Sequence, residues 1–175
     1  DKENLLRDLR METLAILRSV NSTILPFNFV PVAEKYEEAA TDIQTKAASG
    51  TFSLDPLHNR IKELKARSEA LNKAIEGMKG ADNKKTSELN ESLIMISRIL
   101  TSTMYTYMGK YDQDPAYGIP PLSTIQGVIS LANMDPESEQ ALFLRTKMIR
   151  EMNKINHQLG MAISLIDKAI GTATG

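Results

Sequence analysis

The chain has 175 residues, 42% hydrophobic and 25% charged, a balance that fits one globular domain with its own core and excludes a disordered chain. With 21 lysines and arginines against 22 acids the formal net charge is -1, which removes the basic footprint of a nucleic-acid binder. The absence of cysteine excludes disulfides, thiolate metal sites and a cysteine nucleophile, without indicating a compartment.

The first helical pattern runs from Lys2 to Val20, with Leu6, Leu9, Thr13, Ile16, Leu17 and Val20 on one face. Its charged opening, DKENLLRDLR, has no signal-peptide core, and no run in the chain reaches the ~18 apolar residues of a spanning helix. The start at Asp1 rather than Met reads as a piece cut from a longer protein. After Asn21-Ser22 comes an apolar connector, ILPFNF, whose Pro26 breaks helix. Pro31 suits a first turn, where no backbone donor is needed, and Ala33, Tyr36, Ala40, Ile43 and Ala47 carry a second helix to a stop at Ser49-Gly50. A third helix is expected to start with Asp55 as cap and Pro56 in its first turn, its stripe running Leu57, Ile61, Leu64, Ser68, Leu71, Ile75 and Met78.

Gly77, Gly80 and the polar run ADNKK mark a turn before a fourth helix with Leu89, Leu93, Ile96, Leu100, Thr103 and Tyr107 inward. Then comes the one long break in the helical pattern, MGKYDQDPAYGIPPLSTIQG from Met108 to Gly127, with four of the chain's five tyrosines falling between Tyr105 and Tyr117. A loop of that length inside a small domain is uncommon and is either disordered or functional; Pro115, Pro120 and Pro121 stiffen this one toward order. Ser123 or Thr124 can cap a short helix through Ile125, Val128, Ile129 and Leu131. Asp135-Pro136-Glu137 is a start signal for a last helix of more than about thirty residues, its inner face Leu142, Arg145, Met148, Met152, Ile155, Leu159, Ala162, Ile166 and Ala169. No alternating pattern supports a strand. The fold class is therefore all-α, a bundle of about five to six helices with one long ordered loop before the penultimate short helix.

The chemistry of catalysis is sparse. His58 and His157 are the only histidines, neither with a ligand-like neighbour at helical spacing, and both read as surface or packing residues. No nucleophile elbow, Walker loop or dinucleotide fingerprint is present. Met95, Met104, Met108, Met148, Met152 and Met161 fit a packed core better than an adaptable binding surface, and the charges from Arg60 to Glu69 fit a solvated helix face.

Four segments in order carry a resemblance: LPFNFVPVAEKYEEAATDI from Leu25, FSLDPLHNRIKELKARSEALNKAI from Phe52, LNESLIMISRIL from Leu89 and YGIPPLSTIQGV from Tyr117. Together they resemble the transferrin-receptor-like dimerisation domain, the helical C-terminal domain of glutamate carboxypeptidase II, its zinc peptidase relatives and the transferrin receptor. The resemblance implies one helical dimerisation domain over 1–175, with a leading helix and connector at 1–24 and the bundle at 25–175. It implies two partners, a second copy of the chain and the peptidase domain of a parent polypeptide. It places zinc in that parent's catalytic domain, with no cofactor, metal ligand or catalytic residue in this chain. It allows a parent that is extracellular or membrane-anchored, this segment itself touching neither membrane nor nucleic acid. The last helix and the apolar side of the third are the candidate dimer faces, although packing within the chain uses the same stripes.

In such peptidases the loop before the penultimate helix reaches the substrate cleft, where a Lys-Tyr pair binds a terminal carboxylate in glutamate-preferring members. By spacing from Ile125 the loop tyrosine falls on Tyr117, followed by Gly118 and preceded by Ala116 instead of lysine. Lys110-Tyr111 offers the pair in a shifted loop. The Leu122-Ser123-Thr124 helix opening also departs from the family's Leu/Phe-Pro-Gly. A phenol at Tyr117 can donate to a carboxylate or peptide carbonyl without a pKa change, or can pack the loop on the bundle. The expected role is dimerisation and cleft lining in a zinc-dependent exopeptidase; the alternative is a non-catalytic, receptor-like or adaptor interaction module.

Overall fold

The computed structural model describes residues 1–47, 50, 52–78, 82–108, 111–115 and 118–175. Among them are six α-helices and no strand: α1 Lys2–Asn21, α2 Val30–Lys46, α3 Asp55–Gly77, α4 Asn83–Tyr105, α5 Gly127–Leu131 and α6 Glu139–Thr174, with a 3₁₀ turn at Ser123–Ile125 before α5. The long α6 is the spine. Helices α3 and α4 lie along it, α2 packs on α3, and α5 sits between α2 and α6.

The buried face of α6 is a continuous stripe, Met148, Met152, Ile155, Leu159, Ala162, Ile166 and Ala169, at the alternating spacing that keeps one side against its neighbours. It meets Leu57, Ile61, Leu64 and Leu71 from α3 and Leu89, Leu93, Ile96 and Leu100 from α4. Ser68 does stand in the α3 stripe. It is fully buried and tolerated there because its Oγ donates to the Leu64 carbonyl at 2.7 Å. Tyr36 is likewise fully buried, and its hydroxyl donates to the Leu100 carbonyl at 2.6 Å, tying α2 to α4. Burial pushes that phenol well above its ordinary range, because the charged form would lose its water.

Side-chain amides fix the connectors. Asn90 on α4 accepts from the Leu25 amide at 2.9 Å and donates to the Thr23 carbonyl at 3.0 Å, pinning the LPF connector to the bundle. Gln44 does the same for the entry to α3, donating to the Phe52 carbonyl at 3.1 Å and accepting from Leu54 at 3.0 Å. Asn28 accepts from the Val30 amide at the start of α2, where Pro31 needs no donor.

Several sequence expectations shift. Asp55 is the first residue of α3 and not its cap; Ser53 Oγ accepts from the Asp55 amide at 3.1 Å, so the serine two residues earlier does the capping chemistry. Helix α6 starts at Glu139, four residues beyond Asp135, with Ser138 Oγ accepting from Ala141 at 3.2 Å. Asp135 instead closes a turn of its own, its carboxylate accepting from Glu137 and its carbonyl from Ser138. Leu142, placed on the inner face, is 48% exposed. Helix α4 stops at Tyr105, which leaves Tyr107 exposed in the loop rather than inward. The methionines divide. Met104, Met148 and Met152 are core, whereas Met95, Met108 and Met161 are exposed.

The largest departure is α1. Asp1 caps it by accepting from the Glu3 amide, and it ends at Asn21 as the pattern predicts, yet it contributes no buried residue.

Candidate functional site

The long loop leaves and rejoins the bundle at one place. The Leu122 amide donates to the Met104 carbonyl at 2.9 Å, and Ser123 Oγ donates to the Thr106 carbonyl at 3.1 Å. The two ends of the loop thus stand together on the C-terminal end of α4. Leu122 carries the strain of that return, with φ at 52° in the left-handed region that costs a non-glycine residue about 1–2 kcal/mol. Complete burial of its side chain and its amide hydrogen bond hold it there. On the outgoing limb, one oxygen of Asp114 accepts from the amides of Tyr107 and Met108, both at 2.8 Å, folding the chain back on itself.

Between this limb and α6 lies a cleft of about 970 Å³. Its α4 wall presents the hydroxyls of Ser102 and Thr103, and its loop wall Thr106, Tyr107, Asp112 and Asp114. The α6 wall presents Lys147, Glu151, Lys154 and Gln158 around Ile155. Glu151 and Lys154 pair at 2.7 Å, one turn apart, whereas Lys147 makes no ion pair among the described residues. The cleft mixes hydroxyl, amide, carboxylate and ammonium groups over an apolar floor. That set can donate to and accept from the main chain of a peptide.

Of the residues singled out in the sequence, Tyr111 and Gly118 are described and Lys110 and Tyr117 lie outside the described residues. Tyr111 stands outward at 91% exposure. Gly118 has φ at 79°, a conformation that favours glycine and lets the loop turn toward Pro120 and Pro121. Neither lines the cleft. What the sequence reading missed is the opposite wall, Lys147, Glu151 and Lys154 of α6. Asp114, also not singled out, precedes Pro115, a pairing that favours turns.

The histidines behave as packing and surface residues. His58 bridges α3 to α2, its Nδ1 2.9 Å from Glu37 Oε1, and His157 is exposed on α6. Among the described residues no group of three or more His, Asp and Glu could hold a metal ion, and no helix is long and apolar enough to cross a membrane.

No protein-family model matches the chain, and no solved structure matches it. Over 146 residues, 83% of the chain, it is 27% identical to the probable glutamate carboxypeptidase LAMP1 of Arabidopsis thaliana. The two are distant homologues. The match covers 21% of that protein, so the chain spans about a fifth of the relative's length and corresponds to a part of it. The carboxypeptidase homology thus attaches to a helical segment whose described residues carry no metal-binding group.

Proposed function

We propose that the chain is the helical dimerisation and cleft-lining domain of a zinc-dependent exopeptidase of the glutamate carboxypeptidase type, and is not catalytic alone. The observation that carries this reading is the homology itself, which runs along 83% of a chain whose described residues form helices and no strand, and yet covers only 21% of the carboxypeptidase. The loop residues Thr106, Tyr107, Asp112 and Asp114, across the cleft from the α6 wall, are the part that would face substrate. Hydroxyls and the Gln158 amide would hold a peptide's main chain, and the loop phenols would donate to its carbonyl or carboxylate. On this reading zinc would be held by other residues of the parent polypeptide.

The test is hydrolysis of peptides ending in glutamate by the full natural polypeptide, with and without a zinc chelator. We expect turnover that chelation abolishes, none from the 175-residue chain by itself, and a several-fold rise in KM on Tyr117→Phe. A full polypeptide that binds no zinc and cleaves nothing would replace the reading with the receptor-like or adaptor module. Sedimentation equilibrium addresses pairing separately: a polypeptide that stays monomeric at high concentration removes dimerisation from the proposal.

A further inference from the structure

Two Asn-x-Ser/Thr triplets stand in the chain, Asn21-Ser22-Thr23 and Asn90-Glu91-Ser92, and neither has proline in its middle position. The asparagine of such a triplet can accept an N-linked oligosaccharide, provided that its amide nitrogen can be reached by a large enzyme and that water has room for a bulky sugar afterwards. The surroundings of the two are opposite. Asn90 lies inside α4 with both ends of its amide engaged: Nδ2 donates to the Thr23 carbonyl at 3.0 Å and Oδ1 accepts from the Leu25 amide at 2.9 Å. Ser92, the hydroxyl of that triplet, is 4% exposed and donates to the Glu88 carbonyl one turn back. A sugar on Asn90 would stand where the LPF connector is pinned to the bundle.

Asn21 is the last residue of α1 and is exposed. Ser22 has already left the helix, with φ at -83° and ψ at 125°, and Thr23 after it is exposed, its hydroxyl without a partner among the described residues. At 100° per residue Asn21 falls on the side of α1 that carries Glu3, Arg7, Arg10 and Leu14, a mostly charged side. The bond from Asn90 to the Thr23 carbonyl holds this triplet in its extended form, so the second asparagine keeps the first one open.

We propose that Asn21 carries an N-linked glycan and that Asn90 does not. The co-reactant is an oligosaccharide joined through its first sugar to a lipid pyrophosphate. Asn21 Nδ2 attacks C1 of that sugar and forms the C–N bond; the C1–O bond breaks, the lipid pyrophosphate leaves with the electron pair, and the amide proton passes to a base of the transferase. The glycan then projects from the junction of α1 and the LPF connector. That junction meets α4 at Asn90, well before the C-terminal end of α4 where Ser102 and Thr103 line the cleft, so the sugar stands clear of the cleft.

Peptide masses of the full natural polypeptide, purified from its own source, test this. Trypsin cuts after Arg18, Lys35, Lys85 and Arg98 and so releases Asn21 in residues 19–35 and Asn90 in residues 86–98. We expect residues 19–35 to be heavier by an oligosaccharide, with sugar fragments on dissociation and the adduct localised to Asn21, and residues 86–98 to have their unmodified mass. An unmodified 19–35 peptide overturns the proposal, and a glycan on Asn90 overturns the distinction between the two triplets. Thr23→Val, made in the same organism, removes the hydroxyl and keeps the carbonyl that Asn90 holds, so the connector stays pinned while the adduct should be lost. Thr23→Ser should retain the adduct. An adduct that survives Thr23→Val is a modification of another kind and overturns the assignment.

Discussion

Helix α6 buries nine residues along its length of 36, while α1, 20 residues long with an apolar stripe of the same helical period, buries none. Periodicity specifies that a helix has a face to bury. It does not specify what lies opposite. For α6 the partners are α3, α4 and the short α5 of the same chain, and its buried residues run from Ala141 to Ala169. The stripes of α3 and α6, the candidate faces for a second copy, are therefore used inside the chain.

The sharpest way to break this comparison is truncation on each helix. Leu159→Ala, at a fully buried site of α6, should cost the 175-residue chain about 2–5 kcal/mol in urea unfolding. Leu9→Ala on α1 should stay within about 0.5 kcal/mol in the same assay. Equal losses would mean that α1 is packed after all.

A smaller effect probes the tight end of the spine, where α5 meets α6. A Cβ added at Gly127 would stand 3.0 Å from Met148 Sδ and 3.2 Å from Leu144 Cδ1. Gly127→Val should therefore destabilise by about 1–3 kcal/mol, read as a fall in Tm, and the same substitution made in a Met148→Ala background should cost less than it does in the wild type. A neutral Gly127→Val would show that this end of α6 has slack.

The smallest effect concerns the tie between α2 and α4. Tyr36→Phe removes the hydroxyl that donates to Leu100 and should cost about 1 kcal/mol. It should also change the alkaline limb of stability. Folded Tyr36 keeps its proton beyond the phenol's ordinary 10.0, so its contribution is complete below that pH and is lost as pH rises above it, when the unfolded chain ionises first. The variant's stability should fall less steeply above pH 10.0 than the wild type's; identical slopes would place the phenol in contact with water.

Much of the bundle was legible because its signals are local. Ser68 in the α3 stripe, Pro31 at the start of α2 and the end of α1 at Asn21 each follow from spacing, a missing backbone donor or a stop residue. Caps were less legible. Asp135-Pro136 and Ser138 both suit a helix start, and only the packing of α6 against the bundle selects the later one. The cleft was half legible: the tyrosine-rich loop stood out by composition, but Lys147 and Glu151 had no mark in the sequence to separate them from any solvated helix face.

By itself the sequence determined that the chain is helical, where its helices run and which side of each is apolar, because backbone propensity and side-chain period act within a few residues. Only the tertiary structure decided which stripes meet. It paired α6 with α3 and α4, left α1 uncovered, and brought residues near 107 and 114 opposite residues near 151. Those are contacts between residues far apart in the chain, and their free energy depends on the packed arrangement of every helix between them.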